Sequence, residues 1–312
     1  MRRRSDMVLQ FTFVVLLVGA GCRASTPERA APNVDALWRN PTDLEARDLF
    51  AGSDEIDAVA RPNVAYQFLE DKKSGVNPGY DVTDVAGQRW SVKLGAEART
   101  EVVVSRIVWA VGYHQPILNF VPRWTMTREG RDTSLSAARF RFESPAQDKT
   151  GEWSWRDNPF LGTRQLAGLY VLMVLFNNWD LKTGQNALYT VTREGGAVEP
   201  RYMVRDLGAS LGRSAWLTFG TKDDAAGFEE QPFITGVYRN RVRFAFDGGW
   251  MEPQLLGSIT PADVRWICGL LARLSDRQWS DAFRAGGYSA AEAAPFIRRL
   301  KEKVAEGRRV SG

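Results

Sequence analysis

Histidine is almost missing from this chain: His114 is the one copy in 312 residues. That excludes a multi-histidine metal centre and any mechanism that needs a histidine base with histidine partners. Cysteine is nearly as rare. Cys22 and Cys268 stand alone, which rules out a disulfide framework and a cysteine-rich zinc site. Charge of one sign is lacking too. The 41 lysines and arginines against 37 aspartates and glutamates leave only +4, too little to coat a polyanion, so no nucleic-acid partner is expected. Long apolar runs are absent beyond the amino terminus. Residues 167–176 form the densest run, ten positions where a bilayer needs about 20, so a core helix is expected there.

What is plentiful points to an ordered globular protein. Apolar residues make up 44% of the chain, eleven of them tryptophan, enough for one large domain or two lobes with ample core.

Residues 1–21 read as a signal peptide. Met1-Arg2-Arg3-Arg4 is the positive start, and residues 7–18 are mostly apolar but short for a membrane span. The end, Val18-Gly19-Ala20-Gly21-Cys22, resembles a bacterial lipobox, with Gly19 where leucine is usual. That resemblance implies acylation at Cys22 and an exported lipoprotein held at a membrane of the cell envelope, each buried CH₂ contributing about 0.8 kcal/mol. Residues 22–61, rich in Pro, Ala and acidic residues without a sustained period, are expected to be a tether carrying at most a short helix near residues 41–50.

Residues 62–145 read as a β-rich lobe. Strand patterns cover residues 64–68, 81–84, 90–93, 117–127 and 137–143. The loop Ser74-Gly75-Val76-Asn77-Pro78-Gly79 can present backbone N–H groups to phosphates, with Gly75 and Gly79 as its pivots, although a hairpin turn explains it equally well. After Lys93 a helix over residues 96–111, stopped by Gly112, carries Glu97 and Glu101 on one face. Either glutamate can face Lys93. Glu101 is preferred because it leaves a full turn after the lysine.

Residues 146–308 read as a mainly helical lobe. Residues 144–152 are expected to be a polar hinge, and Asp157-Asn158-Pro159 to start a helix over residues 161–176. The polar loop Asn177-Asn178-Trp179-Asp180-Leu181-Lys182-Thr183-Gly184-Gln185-Asn186 follows. A hairpin turning at Glu194-Gly195-Gly196 then brings Asp206-Leu207-Gly208 beside that loop. Residues 210–227 read as a further loop. Arg239, Arg241 and Arg243 alternate on an edge strand. Thr260-Pro261 starts a helix whose apolar stripe makes Cys268 a core residue, and Ser289 with Glu292 forms a capping box.

A strand lysine, a helix carboxylate, a polar loop with aspartate and asparagine, and an Asp-x-Gly, in that order, resemble the parts of a divergent protein-kinase-like fold. The HipA-type, CotH-type and phosphoinositide kinases are nearest in style. The resemblance implies an α+β, two-lobed fold, with a β-rich amino-terminal lobe and a mainly helical carboxy-terminal one. It implies ATP with Mg²⁺ or Mn²⁺ as cofactors. Lys93 would hold phosphates, Glu101 would fix Lys93, Asp206 and Asn186 would bind metal, and Asp180 would act on the acceptor. The chain departs from the family pattern in three places. Asn186 follows Asp180 by six residues where five is usual, Asn178-Trp179 stands where His-Arg is usual, and Leu207 stands for Phe. The acceptor, whether protein, lipid head group or glycan, is not legible. AMP transfer uses the same parts, and a catalytically silent envelope scaffold is the alternative.

Overall fold

Alternating apolar and polar residues between positions 65 and 142 build one seven-stranded sheet. Its strands are β1 (Ala65–Asp71), β2 (Gly79–Thr83), β3 (Arg89–Leu94), β4 (Leu118–Val121), β5 (Trp124–Arg128), β6 (Arg131–Leu135) and β7 (Ala138–Phe142). They lie in the order β4-β7-β3-β2-β1-β5-β6. Only β1 and β5 run parallel; the other neighbours are antiparallel. The computed structural model describes residues 33–53, 58–72, 78–193, 195–215, 220–248 and 255–312. The expected signal peptide over residues 1–21, Cys22 and Gly75 lie outside the described residues.

The two faces of this sheet differ in chemistry. One face is aromatic, with Tyr66, Val82, Trp90, Val92, Trp124 and Phe140 fully buried in one cluster. The sheet curls enough to bring Trp124 of β5 within 5.1 Å of Phe140 on β7, edge to face. The other face is polar, and α1 (Glu97–Ala110) packs against it. The register Ser91↔Arg141 and Lys93↔Arg139 sets four polar side chains side by side there. Strand β6 was not expected. It is exposed along most of its length and carries Arg, Asp, Thr and Ser, so composition alone reads as loop. A turn at Glu129-Gly130, both with positive φ, folds it back on β5.

The rest of the chain is a helical assembly with two small sheets. Helix α2 (Arg164–Leu175) is the apolar helix expected from the sequence, buried along most of its length. A second sheet has the order β10-β9-β8, from β8 (Gln147–Gly151), β9 (Asn186–Thr192) and β10 (Val198–Val204). Then come α3 (Ala225–Glu230), a hairpin of β11 (Ile234–Tyr238) and β12 (Arg241–Phe244), α4 (Pro261–Leu271), α5 (Asp276–Ala285) and α6 (Ala290–Arg309). Helices α4, α5 and α6 each open on a complete capping box, at Thr260/Asp263, Ser275/Gln278 and Ser289/Glu292. Helix α4 packs on both α2 and α6, and Cys268 is buried as expected. The architecture is therefore a mixed α+β fold with a β-rich amino-terminal region and a helical carboxy-terminal part. Among the described residues no helix is long and apolar enough to cross a membrane.

Three local expectations are corrected. Residues 33–53 are not a tether: Leu37, Leu44 and Leu49 are wholly buried in the main core. Trp38 pairs with Tyr113 and donates its indole N–H to Val111 O at 2.7 Å. Three buried leucines at irregular spacing leave no period to read. Residues 144–152 do not form a free hinge, because β8 pairs with β9. Asn158 does not cap α2 either. It closes a turn by accepting from Phe160 N–H, and Thr163 caps the helix through Leu166 N–H at 3.2 Å.

Candidate active site

Strand β3 ends one residue after Lys93, and α1 begins within the next turn. Glu97 and Glu101, four and eight residues beyond the lysine, therefore fall on the side of α1 that faces β3. Lys93 Nζ lies 2.6 Å from Glu97 Oε2 and 3.4 Å from Glu101 Oε2. The two oxygens of Asp206 stand 2.9 and 3.1 Å from the same ammonium. Both glutamates thus meet the lysine, Glu97 more closely. Glu101 is fully buried and is shared with Arg139, whose Nε lies 3.0 Å from Glu101 Oε1.

Electrostatics follow this geometry. Burial works against the Lys93 ammonium, but Glu101, Asp206 and Glu97 outweigh it and hold its pKa above the ordinary lysine value. Burial likewise disfavours the charge on Asp206. Lys93 and the Gly208 N–H prevail and keep that carboxyl below its usual range. Glu97 is lowered as well: burial is overcome by Lys93 and by a hydrogen bond from Lys222. The site is a charged cluster, ionised at neutral pH.

The Asp206-Leu207-Gly208 turn is stitched to α1. Thr100 Oγ1 donates to Gly208 O at 2.8 Å. A Cβ on residue 208 would fall 2.7 Å from Glu97 Cβ, so the close approach of this turn to α1 requires glycine. Lys222, farther along the following segment, reaches back to Glu97.

The polar loop after α2 delivers Asp180 to the same cleft. Asn178 Oδ1 accepts the Asp180 N–H at 3.2 Å and turns the chain. Gln185 Nε2 donates to Asp180 Oδ2 at 2.8 Å, and Lys182 Nζ lies 2.9 Å from Asp180 Oδ1. Lys93, Glu97, Asp180, Lys182, Gln185 and Asp206 all line one cleft of about 700 Å³, with Gly79 at its β2 edge.

Asn186 does not belong to this site, which corrects the sequence-based expectation. It is the first residue of β9, 1% exposed, and its Nδ2 donates to Trp153 O at 3.0 Å. Gln185 ends a 3₁₀ turn at Thr183–Gln185 and stays at the cleft, while the extra residue after Asp180 puts Asn186 at the start of β9 with its side chain turned inward. Among the described residues no cluster of three or more acidic, histidine or cysteine side chains gathers as a preformed metal cage. A divalent cation that keeps waters and shares phosphate oxygens needs only one or two carboxylates. Asp206 fits that role; Asn186 does not.

Sequence reasoning missed a second group of cleft residues: Lys72, Arg139, Arg141 and Arg205. Arg139 donates to Ser91 O at 2.9 Å and Arg141 to Ser91 Oγ at 2.9 Å. Arg139 and Arg141 alternate with Phe140 and Phe142, a pattern that by itself indicates only a half-buried strand. The signal that places them is register, because residues paired with Ser91 and Lys93 must share their face.

No family model matches this chain, and no curated protein matches it by sequence. Among solved structures it is similar to the Helicobacter pylori proinflammatory kinase CtkA, at 10% identity and a TM-score of 0.47. That likeness covers 79% of this chain and 97% of the other. It is too low to bear on activity.

Proposed function

We propose that the cleft is a kinase-like, ATP-dependent phosphotransfer site. The observation that carries this reading is Lys93 held between the α1 carboxylates and Asp206. Phosphoryl transfer asks for positioning and charge neutralisation more than for covalent help. Lys93 is placed to grip a phosphate. Glu97 and Glu101 keep the ammonium charged and in place while that phosphate replaces Asp206 as its partner. Asp206, an ionised oxygen donor at the cleft wall, is the residue that would hold Mg²⁺ or Mn²⁺. Such a cation, when bound, neutralises charge on the phosphate oxygens. Asp180, held by Gln185 and Lys182, is placed to orient an acceptor hydroxyl or take its proton. Acylation at Cys22 would locate this activity at a membrane surface of the cell envelope, where proteins, lipid head groups and glycans all offer hydroxyls.

Two features favour a second reading, a catalytically silent binding module. Asn186 faces Trp153 instead of the cleft, and among the described residues only Val92 and Ala209 bring apolar side chains to the cleft lining. ATP labelled at the γ or at the α phosphate, incubated with envelope extract, separates the possibilities. Incorporation of γ label supports phosphotransfer. Incorporation of α label points to AMP transfer on the same residues. With neither label incorporated, in the presence of either metal, the binding-module reading replaces both.

A further inference from the structure

The face of β3 that carries Lys93 also carries Ser91, two residues and about 6.6 Å back along the strand. Ser91 Oγ accepts from Arg141 Nη2 at 2.9 Å and from Lys72 Nζ, so two cations converge on one hydroxyl. Arg205 stands beside them, its Nη2 3.7 Å from Glu143 Oε1. The carboxylates within reach are Asp81, 3.4 Å from Lys72 Nζ, and Glu143, 3.1 Å from Arg141 Nε. Among the described residues, three cations meet Asp81 and Glu143 there, and Glu70 and Asp71 line the same cleft. Arg205 Nε is buried with no hydrogen-bond partner. Burial, helped by Arg141 and Arg139 and opposed by Asp81, pushes the Lys72 ammonium down to about 8.

This cluster is separate from the carboxylates around Lys93, yet Lys72, Arg141 and Arg205 line the same cleft. Glu97, Asp180 and Asp206 line the cleft around Lys93, while Lys72, Arg141 and Arg205 line it together with Glu70, Asp71 and Asp81. We propose that Ser91, Lys72, Arg141 and Arg205 form a second anion subsite. It takes a phosphoryl group of the ligand about 6–7 Å along β3 from the one at Lys93. Planar guanidinium groups and a lysine suit tetrahedral phosphate oxygens, and Ser91, buried beneath them, holds Lys72 and Arg141 together. The subsite does not depend on transfer chemistry and stands whether or not the cleft is catalytic.

Inorganic tripolyphosphate, which has no base or sugar, is the probe, titrated calorimetrically into the protein without divalent metal. Wild type is expected to bind it. Lys72→Gln and Arg205→Gln should each weaken binding about tenfold or more, whereas Lys72→Arg should stay close to wild type. Circular dichroism on each variant separates lost binding from lost folding. Lys72 is a quarter exposed at the end of its strand, so its variants are expected to fold. Orthophosphate is then titrated onto protein saturated with a non-hydrolysable ATP analogue and Mg²⁺. Phosphate binding that persists and needs Lys72 assigns the subsite to a second, phosphate-bearing substrate. Loss of that binding assigns it to the phosphate chain of the nucleotide itself. The proposal is overturned if millimolar tripolyphosphate does not bind wild type. It is equally overturned if Lys72→Gln and Arg205→Gln both bind within twofold of wild type. Should ATP fail to bind while tripolyphosphate binds through Lys72, the subsite survives and the nucleotide reading does not.

Discussion

Asp180 and Asp206 are both ionisable residues of the cleft, yet their partners assign them different tasks. Asp206 is engaged by Lys93, while Asp180 is held by the neutral amide of Gln185 and by Lys182, 65% exposed. The account therefore expects Asp180→Asn to keep nucleotide affinity while transfer falls by about 10²–10⁴-fold, the usual worth of general-base assistance. Transfer at the wild-type rate would show that Asp180 is not the base. Asn186→Ala should leave metal-dependent nucleotide binding unchanged, since its amide bonds Trp153.

A different residue governs the floor beneath the loop. Lys303 of α6 is fully buried, donating to Leu175 O at 3.1 Å and Asn177 Oδ1 at 3.0 Å beneath the end of α2. Lys303→Met leaves both acceptors unpartnered and should lower stability by about 1–3 kcal/mol. The pH dependence has a definite sign. Burial pushes Lys303 well below 10.5, the value it regains on unfolding, so between the two the unfolded chain binds more protons. Stability should then rise with pH relative to Lys303→Met as pH climbs toward 10.5. Denaturant melts of both proteins across that range check it, and parallel curves would mean that Lys303 does not titrate on unfolding.

At the scale of elements, the site hangs on three short connections: β3 into α1, α2 into the Asp180 loop, and β10 into Asp206. Each was legible because a strongly patterned element runs directly into a polar cluster. Lys93 follows alternating strand residues, Asp180 follows a dense apolar helix, and Asp206 follows a strand closed by a glycine turn. What stayed hidden depended on pairing between distant strands. Arg139 and Arg141 enter the cleft because β7 pairs with β3 in one register, and Asn186 leaves it because the extra residue after Asp180 turns its side chain inward to Trp153. A one-residue change in strand phase reverses a side chain, and no local pattern around Asn186 reveals that phase.

The segment over residues 33–53 was hidden for another reason. Its buried leucines follow no period, and short 3₁₀ turns at Val34–Ala36 and Leu44–Ala46 are its only regular structure. It is nonetheless part of the folded body: Gln278 Nε2 donates to Leu44 O at 2.8 Å and to Arg47 O at 3.1 Å. Leu44→Ala should therefore cost about 2–5 kcal/mol in a thermal or denaturant melt, as for a core leucine. A loss below about 0.5 kcal/mol would restore the tether reading.

Across the whole molecule, the β-rich region supplies Lys93, Lys72, Arg139 and Arg141, while the carboxy-terminal part supplies Asp180, Gln185, Arg205 and Asp206. Cys22→Ser should release the protein from membranes into the soluble fraction. Unchanged membrane association, with no acyl mass on Cys22 in the wild type, would refute the anchor and leave the cleft unaffected.

The central claim, that Lys93 and Asp206 together hold a metal-bound nucleotide, is tested most directly by thermal unfolding with millimolar ATP and Mg²⁺ or Mn²⁺. A ligand at 100 times its dissociation constant stabilises the folded state by about 2.7 kcal/mol, a readily measured rise in melting temperature. That rise is expected in the wild type and should be lost in Lys93→Ala and in Asp206→Ala, provided both variants still melt cooperatively. A wild type that shows no rise with either metal, or variants that retain the full rise, would contradict it.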